Sequence, residues 1–213
     1  MSIAVFYHLY AAGAWEQPTT EFLDAMVRSG LAEEARVLRV GLIGSPAQCG
    51  AAYARLAKTM PIEVIAHADE GWEQVTLEAM RQHPVGDQIG YFHTKGAAIV
   101  DPWQDAWRRS MYLCLVTEWR TCLPFLETDD AVGCHWLLVT PGMPQRYPFF
   151  GGNMWWARRS LIDRLEPPEM SSRYAAEAWI GSAEGVTAKD LRPGWPGWDS
   201  IRQEARRPAG VPL

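Results

Sequence analysis

His93, Thr94 and Lys95 set an imidazole, a hydroxyl and an ammonium side by side, directly after the apolar pair Tyr91-Phe92 and before Gly96. His93 and Lys95 are two residues apart, so on extended backbone they project to the same side. A cation beside two hydrogen-bonding groups suits a phosphate or diphosphate, with Lys95 neutralising charge and His93 donating to a phosphate oxygen or a sugar. The structural alternative is a lysine laid along a strand end and a histidine bonded to backbone. Two further clusters carry similar promise. In Gly151-Gly152-Asn153-Met154-Trp155-Trp156 the glycines let backbone approach a ligand closely, and the Asn153 amide can both accept from and donate to sugar hydroxyls. A tight turn on an edge strand explains the same residues. In the third, Arg173 to Gly181, Glu177 precedes Trp179. A carboxylate partly desolvated against an aromatic wall suits a general base, whereas on a helix Arg173 and Glu177 would make an ordinary ion pair.

Other acids are less pointed. Asp69 and Glu70 fall on a strand-to-helix loop, on the sheet edge where a nucleotide would bind, and Asp129-Asp130 reads as a turn before a strand. Hard cations want several oxygens, and neither pair supplies them alone. H-E-x-x-H, H-x-x-E-H and C-x-x-C patterns are absent, so no metal ligands are assigned. Cys49, Cys114, Cys122 and Cys134 read as small buried residues of a reducing compartment. The 11 tryptophans, including Trp195 and Trp198 in the tail, are core packing or, for a few, flat walls of a sugar or base site.

The elements that must position these groups alternate. Strands are expected at Ile3–Leu9, Arg36–Ile43, Pro61–Ala66 and Gln88–His93. Between them fall helices at Thr19–Ser29 (Phe22, Leu23, Met26 and Val27 on one face, Gly30 as stop), Ser45 to about Thr59, and Trp72–His83. Ser45, Pro46 and Gln48 form a capping box with a proline lead-in. This βαβ alternation implies a largely parallel sheet, and ligands in such sheets bind outside the carboxyl ends of strands. No glycine-rich dinucleotide loop or Walker lysine loop follows a strand. Later, Asp101-Pro102 opens a long helix whose stripe is Trp103, Trp107, Met111, Leu115, Trp119, Cys122 and Leu126, ended or kinked by Pro124. Ala131–Thr140 reads as a strand. Phe149–Ala157 is a strand, or a strand with a ligand-facing turn at Gly151-Gly152. Arg158–Leu165 is a short helix, and an irregular tail runs from 182.

With 213 residues the chain is long enough to bury a full core as one domain. A net charge of −5 argues against bulk electrostatic binding of nucleic acid, although Arg202, Arg206 and Arg207 form a small basic patch. No apolar run is long enough to span a bilayer and no secretory leader is evident, so a soluble, cytoplasmic protein is expected.

In combination, Gly71-Trp72-Glu73 with Thr76-Leu77, Tyr91 to Gly96, Trp107-Arg108-Arg109, Gly133-Cys134-His135-Trp136, Phe150 to Ala157 and Arg173 to Gly181 resemble a group of small glycosyltransferase-like proteins of bacteria and large viruses. They are more distantly similar to the rhamnan-synthesis protein group. The resemblance spans roughly residues 60 to 181 and implies a GT-A-like, Rossmann-like α/β fold, a mostly parallel sheet flanked by helices, in a single domain over 1–181 with a nucleotide-binding half over 1–100 and an acceptor half over 101–181. The irregular Trp-rich C-terminal extension over 182–213 is expected, from its own tryptophans, to pack on the body. Where such folds usually carry an Asp-x-Asp metal site, this chain has His93-Thr94-Lys95. Lys95 or an arginine would then carry the diphosphate charge, and Mn or Mg is left open as a cofactor.

The resulting expectation is a glycosyltransferase with a nucleotide-diphospho-sugar donor and a hydroxyl acceptor. Tyr7, His8, Asp69, Glu70, His93, Thr94, Lys95 and Arg108 form the donor side; Gly152, Asn153, Trp155, Arg173 and Trp179 face the sugar and acceptor. Glu177 is the general base, with Asp69 in reserve. The acceptor is open among a polysaccharide, a protein, a metabolite and a modified base in DNA, the last disfavoured by the acidic charge. The competing reading is a non-catalytic nucleotide- or glycan-binding module on the same fold. A phosphate-ester hydrolase is weaker, since it needs a metal cluster.

Overall fold

The computed structural model describes residues 1–98 and 101–193. Trp195, Trp198, Arg202, Arg206, Arg207 and most of the expected Trp-rich extension lie outside the described residues. Nine strands are described: β1 Ile3–Tyr10, β2 Leu38–Ile43, β3 Ile62–Ala68, β4 Gln88–His93, β5 Ala131–Gly133, β6 Trp136–Leu137, β7 Phe149–Phe150, β8 Trp155–Arg158 and β9 Ala188–Asp190. Seven form one sheet in the order β3-β2-β1-β4-β8-β5-β9, and β6 pairs with β7 separately. β1 runs parallel to β2 and β4, and β2 parallel to β3; β8 enters antiparallel between β4 and β5. The chain is thus α/β with a mostly parallel central sheet. Ala188–Asp190, in the segment expected to be irregular, adds an edge strand parallel to β5.

β1 and β4 are central, and their apolar runs are buried on both faces. Alternate residues serve different cores. Val5, Tyr7, Leu9, Phe92 and Trp156 pack on one face of the sheet. Ala4, Phe6, Ile89, Tyr91 and Trp155 pack on the other. The helices covering them are α1 Glu16–Arg28, α2 Leu31–Ala35, α3 Pro46–Leu56, α4 Gln74–Gln82, α5 Pro102–Tyr112, α6 Trp119–Cys122, α7 Arg159–Ile162 and α8 Arg173–Ala178. The Ser45 capping box on α3 forms as expected, with Ser45 N donating to Gln48 Oε1 at 2.9 Å.

Four expectations are corrected. Val27 is exposed, so the buried face of α1 is Phe22, Leu23 and Met26; Gly30, at φ 74°, ends that helix and starts α2. The long helix from Pro102 changes to a π turn over Leu113–Thr117 before α6 and a 3-10 segment at Leu123–Glu127. There the Leu115 carbonyl accepts the Trp156 indole N–H at 2.8 Å, so a sheet contact competes with the helical ladder. The strand expected over 131–140 breaks at His135, whose φ is 60°, and the Asp190 carboxylate takes the freed N–H groups of His135 and Trp136 at 2.8 Å each. Cys114 is half-buried, while Cys49, Cys122 and Cys134 are buried.

Candidate functional site

The strand order reverses between β1 and β4: β2 and β3 lie to one side of β1, while β4 lies to the other. That is the place where an open α/β sheet forms a crevice at its carboxyl edge. His8 and His93 are register partners there. Thr94 continues the join, its N–H donating to the His8 carbonyl at 3.0 Å and its Oγ1 accepting the Tyr10 N–H at 2.9 Å. Above them opens a cleft of about 290 Å³. Its walls come from the ends of β1 and β4, the loop before α4, the Gly152-Asn153 turn and α8. The three clusters singled out in the sequence therefore converge, through Lys95, Asn153 and Glu177.

At the floor lies Glu73, the cap residue before α4. Its Oε2 accepts the Asn153 Nδ2–H at 2.6 Å and the Tyr91 hydroxyl at 3.0 Å, and its Oε1 is 3.5 Å from His93 Nδ1. Asn153 is itself fixed, since its Oδ1 accepts the Trp155 indole N–H at 3.1 Å. Its φ is 51° and that of Gly152 is 91°, which is the tight-turn geometry. Gly152 has no room for a side chain: an added Cβ would stand 2.6 Å from Met111 Sδ. The Gly152 carbonyl accepts from His93 Nε2 at 2.7 Å.

Burial pushes the His93 imidazole down to about 3, aided by the Lys95 charge, and burial likewise pushes His8 down to about 4. Both rings are neutral near pH 7. Lys95 is half-buried, with its ammonium over the Trp107 ring. Burial drives its ammonium below the ordinary lysine value, opposed by the Glu177 and Glu73 carboxylates. Glu177 accepts from Gln145 Nε2 at 2.7 Å. The alternative pairing with Arg173 does not form: the Arg173 guanidinium lies over the Tyr174 ring, 5.3 Å from its centroid. The cleft is thus lined by two carboxylates, a lysine, an arginine and two neutral imidazoles.

Of the expected site residues, His8, His93, Thr94, Lys95, Gly152, Asn153, Arg173 and Glu177 line the cleft. Others do not. Tyr7 is in the core, stacked on Phe22 with ring centroids 4.4 Å apart. Arg108 is fully buried and occupied, with Nε and Nη2 on Glu21 and Nη1 on Asp105 and the Lys95 carbonyl. Asp69 and Glu70 are exposed and outside the lining. Trp155 and Trp179 are buried against each other, and the Trp179 indole donates to the Glu166 carbonyl. Trp179 is therefore not a wall beside Glu177. Asp130 is an anchor for Arg158, Arg164 and Thr187. Sequence reasoning overlooked Glu73, Trp72 and Gln104 as lining residues. Gly71-Trp72-Glu73 is the available signal, but the helical pattern takes in Trp72 and Glu73, whereas Gly71, at φ 145°, sets them ahead of α4, which begins at Gln74.

Among the described residues no group of three or more His, Cys, Asp or Glu side chains is arranged to hold a metal ion. Among the described residues the cleft offers one carboxylate oxygen without a hydrogen bond at Glu73 and one at Glu177, so a divalent cation here would need further oxygens from a bound ligand. No described helix is long and apolar enough to cross a membrane.

The fold is shared with solved transferases at low identity. A mannosyltransferase from Pyrobaculum calidifontis, in complex with GDP-Man and Mn2+, superposes with a TM-score of 0.51 at 15% identity, covering 95% of this chain and 60% of that one. TarS 1-349 of S. aureus gives 0.51 at 13% identity, covering 90% and 59%. A cytidylyltransferase from Leptospira borgpetersenii gives 0.51 at 11% identity, covering 90% and 76%. The chain spans about 60% of the length of the first two. These likenesses show the GT-A-like fold. No curated protein sequence matches the chain. A family profile does match over residues 6–170, and by that match the chain belongs to the family described as Domain of unknown function (DUF8361).

Proposed function

We propose that the chain is a glycosyltransferase that moves a sugar from a nucleotide-diphospho-sugar to a hydroxyl acceptor. The observation that carries this reading is the meeting of Lys95 and Glu177 around one cleft at the carboxyl edge between β1 and β4. Lys95 stabilises the negative charge that develops on the departing diphosphate. Glu177, with one oxygen held by Gln145, takes the proton of the acceptor hydroxyl as it attacks. Gly152 lets backbone approach the sugar, while Asn153, expected to meet the sugar itself, is spent within the protein, its Nδ2 donating to Glu73 and to the Ala176 carbonyl and its Oδ1 accepting from Trp155, and so positions Glu73. Arg173, on the outer turn of α8, adds a second cation at the rim. A mannosyltransferase crystallised with GDP-Man on this fold supports a nucleotide-sugar donor. Mn2+ accompanies GDP-Man in that protein; here no step is assigned to a cation. Residues 1–100 serve the nucleotide and 101–181 the acceptor in this reading, and the buried thiols of Cys49, Cys122 and Cys134 fit a cytoplasmic setting.

The test is nucleoside diphosphate release from a panel of UDP-, GDP- and TDP-sugars, with and without hydroxyl acceptors. Release that depends on the donor and falls in Glu177→Gln supports transfer. Saturable binding with no release under any condition makes the protein a binding module instead. Absence of any nucleotide binding removes both.

A further inference from the structure

We propose that Glu73 Oε1 and His93 Nδ1 form a paired hydrogen-bond acceptor at the cleft floor that binds a vicinal diol of a sugar. The source of that diol, ribose or hexose, rests on the nucleotide-sugar reading above. The argument begins with Gly152. Its carbonyl can only accept, so the His93 Nε2 atom at 2.7 Å carries a proton. The ring is neutral, because burial disfavours the charged form. Nδ1 therefore bears a lone pair. It faces Glu73 Oε1 at 3.5 Å, and among the described residues neither atom receives a hydrogen bond. Glu73 Oε2, by contrast, is satisfied by Asn153 and Tyr91.

Two acceptors thus stand side by side at the cleft floor, where solvent reaches them only through the cleft, the His93 side chain being 10% exposed and that of Glu73 20%. A ligand that displaces that water must bring donors of its own. A phosphate brings none, because an ionised phosphate accepts and does not donate. This end of the cleft therefore repels the diphosphate and leaves it to Lys95. A vicinal diol supplies two O–H donors on adjacent carbons, spaced so that each can reach one acceptor at ordinary length. The bond to Glu73 is charge-assisted. The carboxylate is pinned by Asn153 across 80 residues and by Tyr91 across 18, so its orientation is set before a ligand arrives.

Glu73→Gln is the sharp probe. The amide oxygen keeps the bonds from Asn153 and Tyr91, while its N–H turns to His93 Nδ1, so both free acceptors vanish at nearly constant shape. Calorimetric titration would use UDP, GDP, UDP-glucose and GDP-mannose, with 2′-deoxyribose and 3-deoxyhexose counterparts. The expected result is that one deoxy series binds the wild type roughly tenfold or more weakly than its parent. In Glu73→Gln that difference should vanish. Loss in the 2′-deoxy series assigns the ribose diol, and loss in the 3-deoxy series assigns the hexose. Equal binding of parents and both deoxy series by the wild type overturns the proposal, as does undiminished discrimination by Glu73→Gln. If the variant fails to fold, as read by its melting curve, the wild-type deoxy series decides alone. If no nucleotide binds the wild type, the transferase reading falls separately. Free glucose and mannose against their 3-deoxy forms, followed by saturation-transfer NMR, then decide the diol site. Binding that needs the 3-hydroxyl supports it, and its absence overturns it.

Discussion

The Lys95 ammonium lies 4.0 Å from the centroid of the Trp107 ring, so the cleft's lysine is held on the face of an aromatic from α5. A cation over an indole face is oriented without being neutralised, because the ring offers a quadrupole and no full negative charge. The charge remains available to a ligand.

Lys95→Ala should therefore weaken nucleotide-sugar binding. A charge-assisted hydrogen bond is worth roughly 1.5–3 kcal/mol, so affinity should fall on the order of tenfold or more. Calorimetry with the best donor of the panel checks this. An unchanged dissociation constant would take Lys95 out of the site.

Arg108 should behave in the opposite way. Its guanidinium is buried and shared among Glu21, Asp105 and the Lys95 carbonyl, and Glu21 also holds Arg109. Removing one partner of such a network leaves buried charge uncompensated, at a cost of roughly 3–5 kcal/mol. Arg108→Ala should melt well below the wild type, by about 6 °C or more for a chain of this size. A variant that melts normally yet loses donor affinity would return Arg108 to the binding machinery.

The parts of this molecule that the sequence discloses are those set by neighbours along the chain. Gln88–His93 has its expected limits because a short apolar run is bounded by turn residues. The α3 capping box needs only Ser45 and Gln48. The cleft clusters were legible as residue types, and the fold brings them together. What escaped depends on distant partners. His135 breaks a strand because Asp190 is there to receive the freed amides. The helix from Pro102 loosens where Trp156 reaches the Leu115 carbonyl. Glu73 is central because of Tyr91, His93 and Asn153, none of them adjacent to it in sequence. Arg108 looked like a ligand for phosphate because its carboxylate partner, Glu21, lies on α1.

Acid should destabilise the fold in two stages. His8 and His93 are buried neutral, with folded values near 4 and 3 against about 6.5 when unfolded. Below about pH 6.5 the unfolded chain takes up protons that the folded chain refuses, so stability present above that value is lost on acidification. The slope is on the order of 1.4 kcal/mol per pH unit for each ring until its folded value is reached. Glu21 enters later: burial works against ionisation there, but Arg109 and Arg108 hold its carboxyl below the ordinary value. Its contribution is lost only as the pH falls beneath the normal carboxylate range. Thermal melts from pH 8 to 4 should therefore decline before the carboxylates titrate. His8→Gln, which can keep a bond to Thr76, should flatten the decline between pH 6.5 and 5. A profile identical to the wild type would show that His8 carries no such linkage.

Glu177→Gln should separate binding from chemistry. Glu177 sits on α8, one residue from the buried Ala176 and Ala178 but with its own carboxylate turned to the cleft and bonded to Gln145. Glutamine keeps the length and one acceptor oxygen, so the Gln145 contact can persist while the base is lost. A general base contributes typically about 10²–10⁴-fold to rate. Sugar transfer should fall at least about a hundredfold, while donor affinity and melting temperature stay close to the wild type. Because the carboxylate pairs with Gln145 and not with Arg173, no close ion pair among the described residues is broken, and the charge lost is the one that faces the Lys95 ammonium, whose effect the donor-affinity measurement reads separately. Full transfer by Glu177→Gln would remove it as the base. Glu73, the other carboxylate lining the cleft, would be the next to test, ahead of Asp69, which is exposed and outside it.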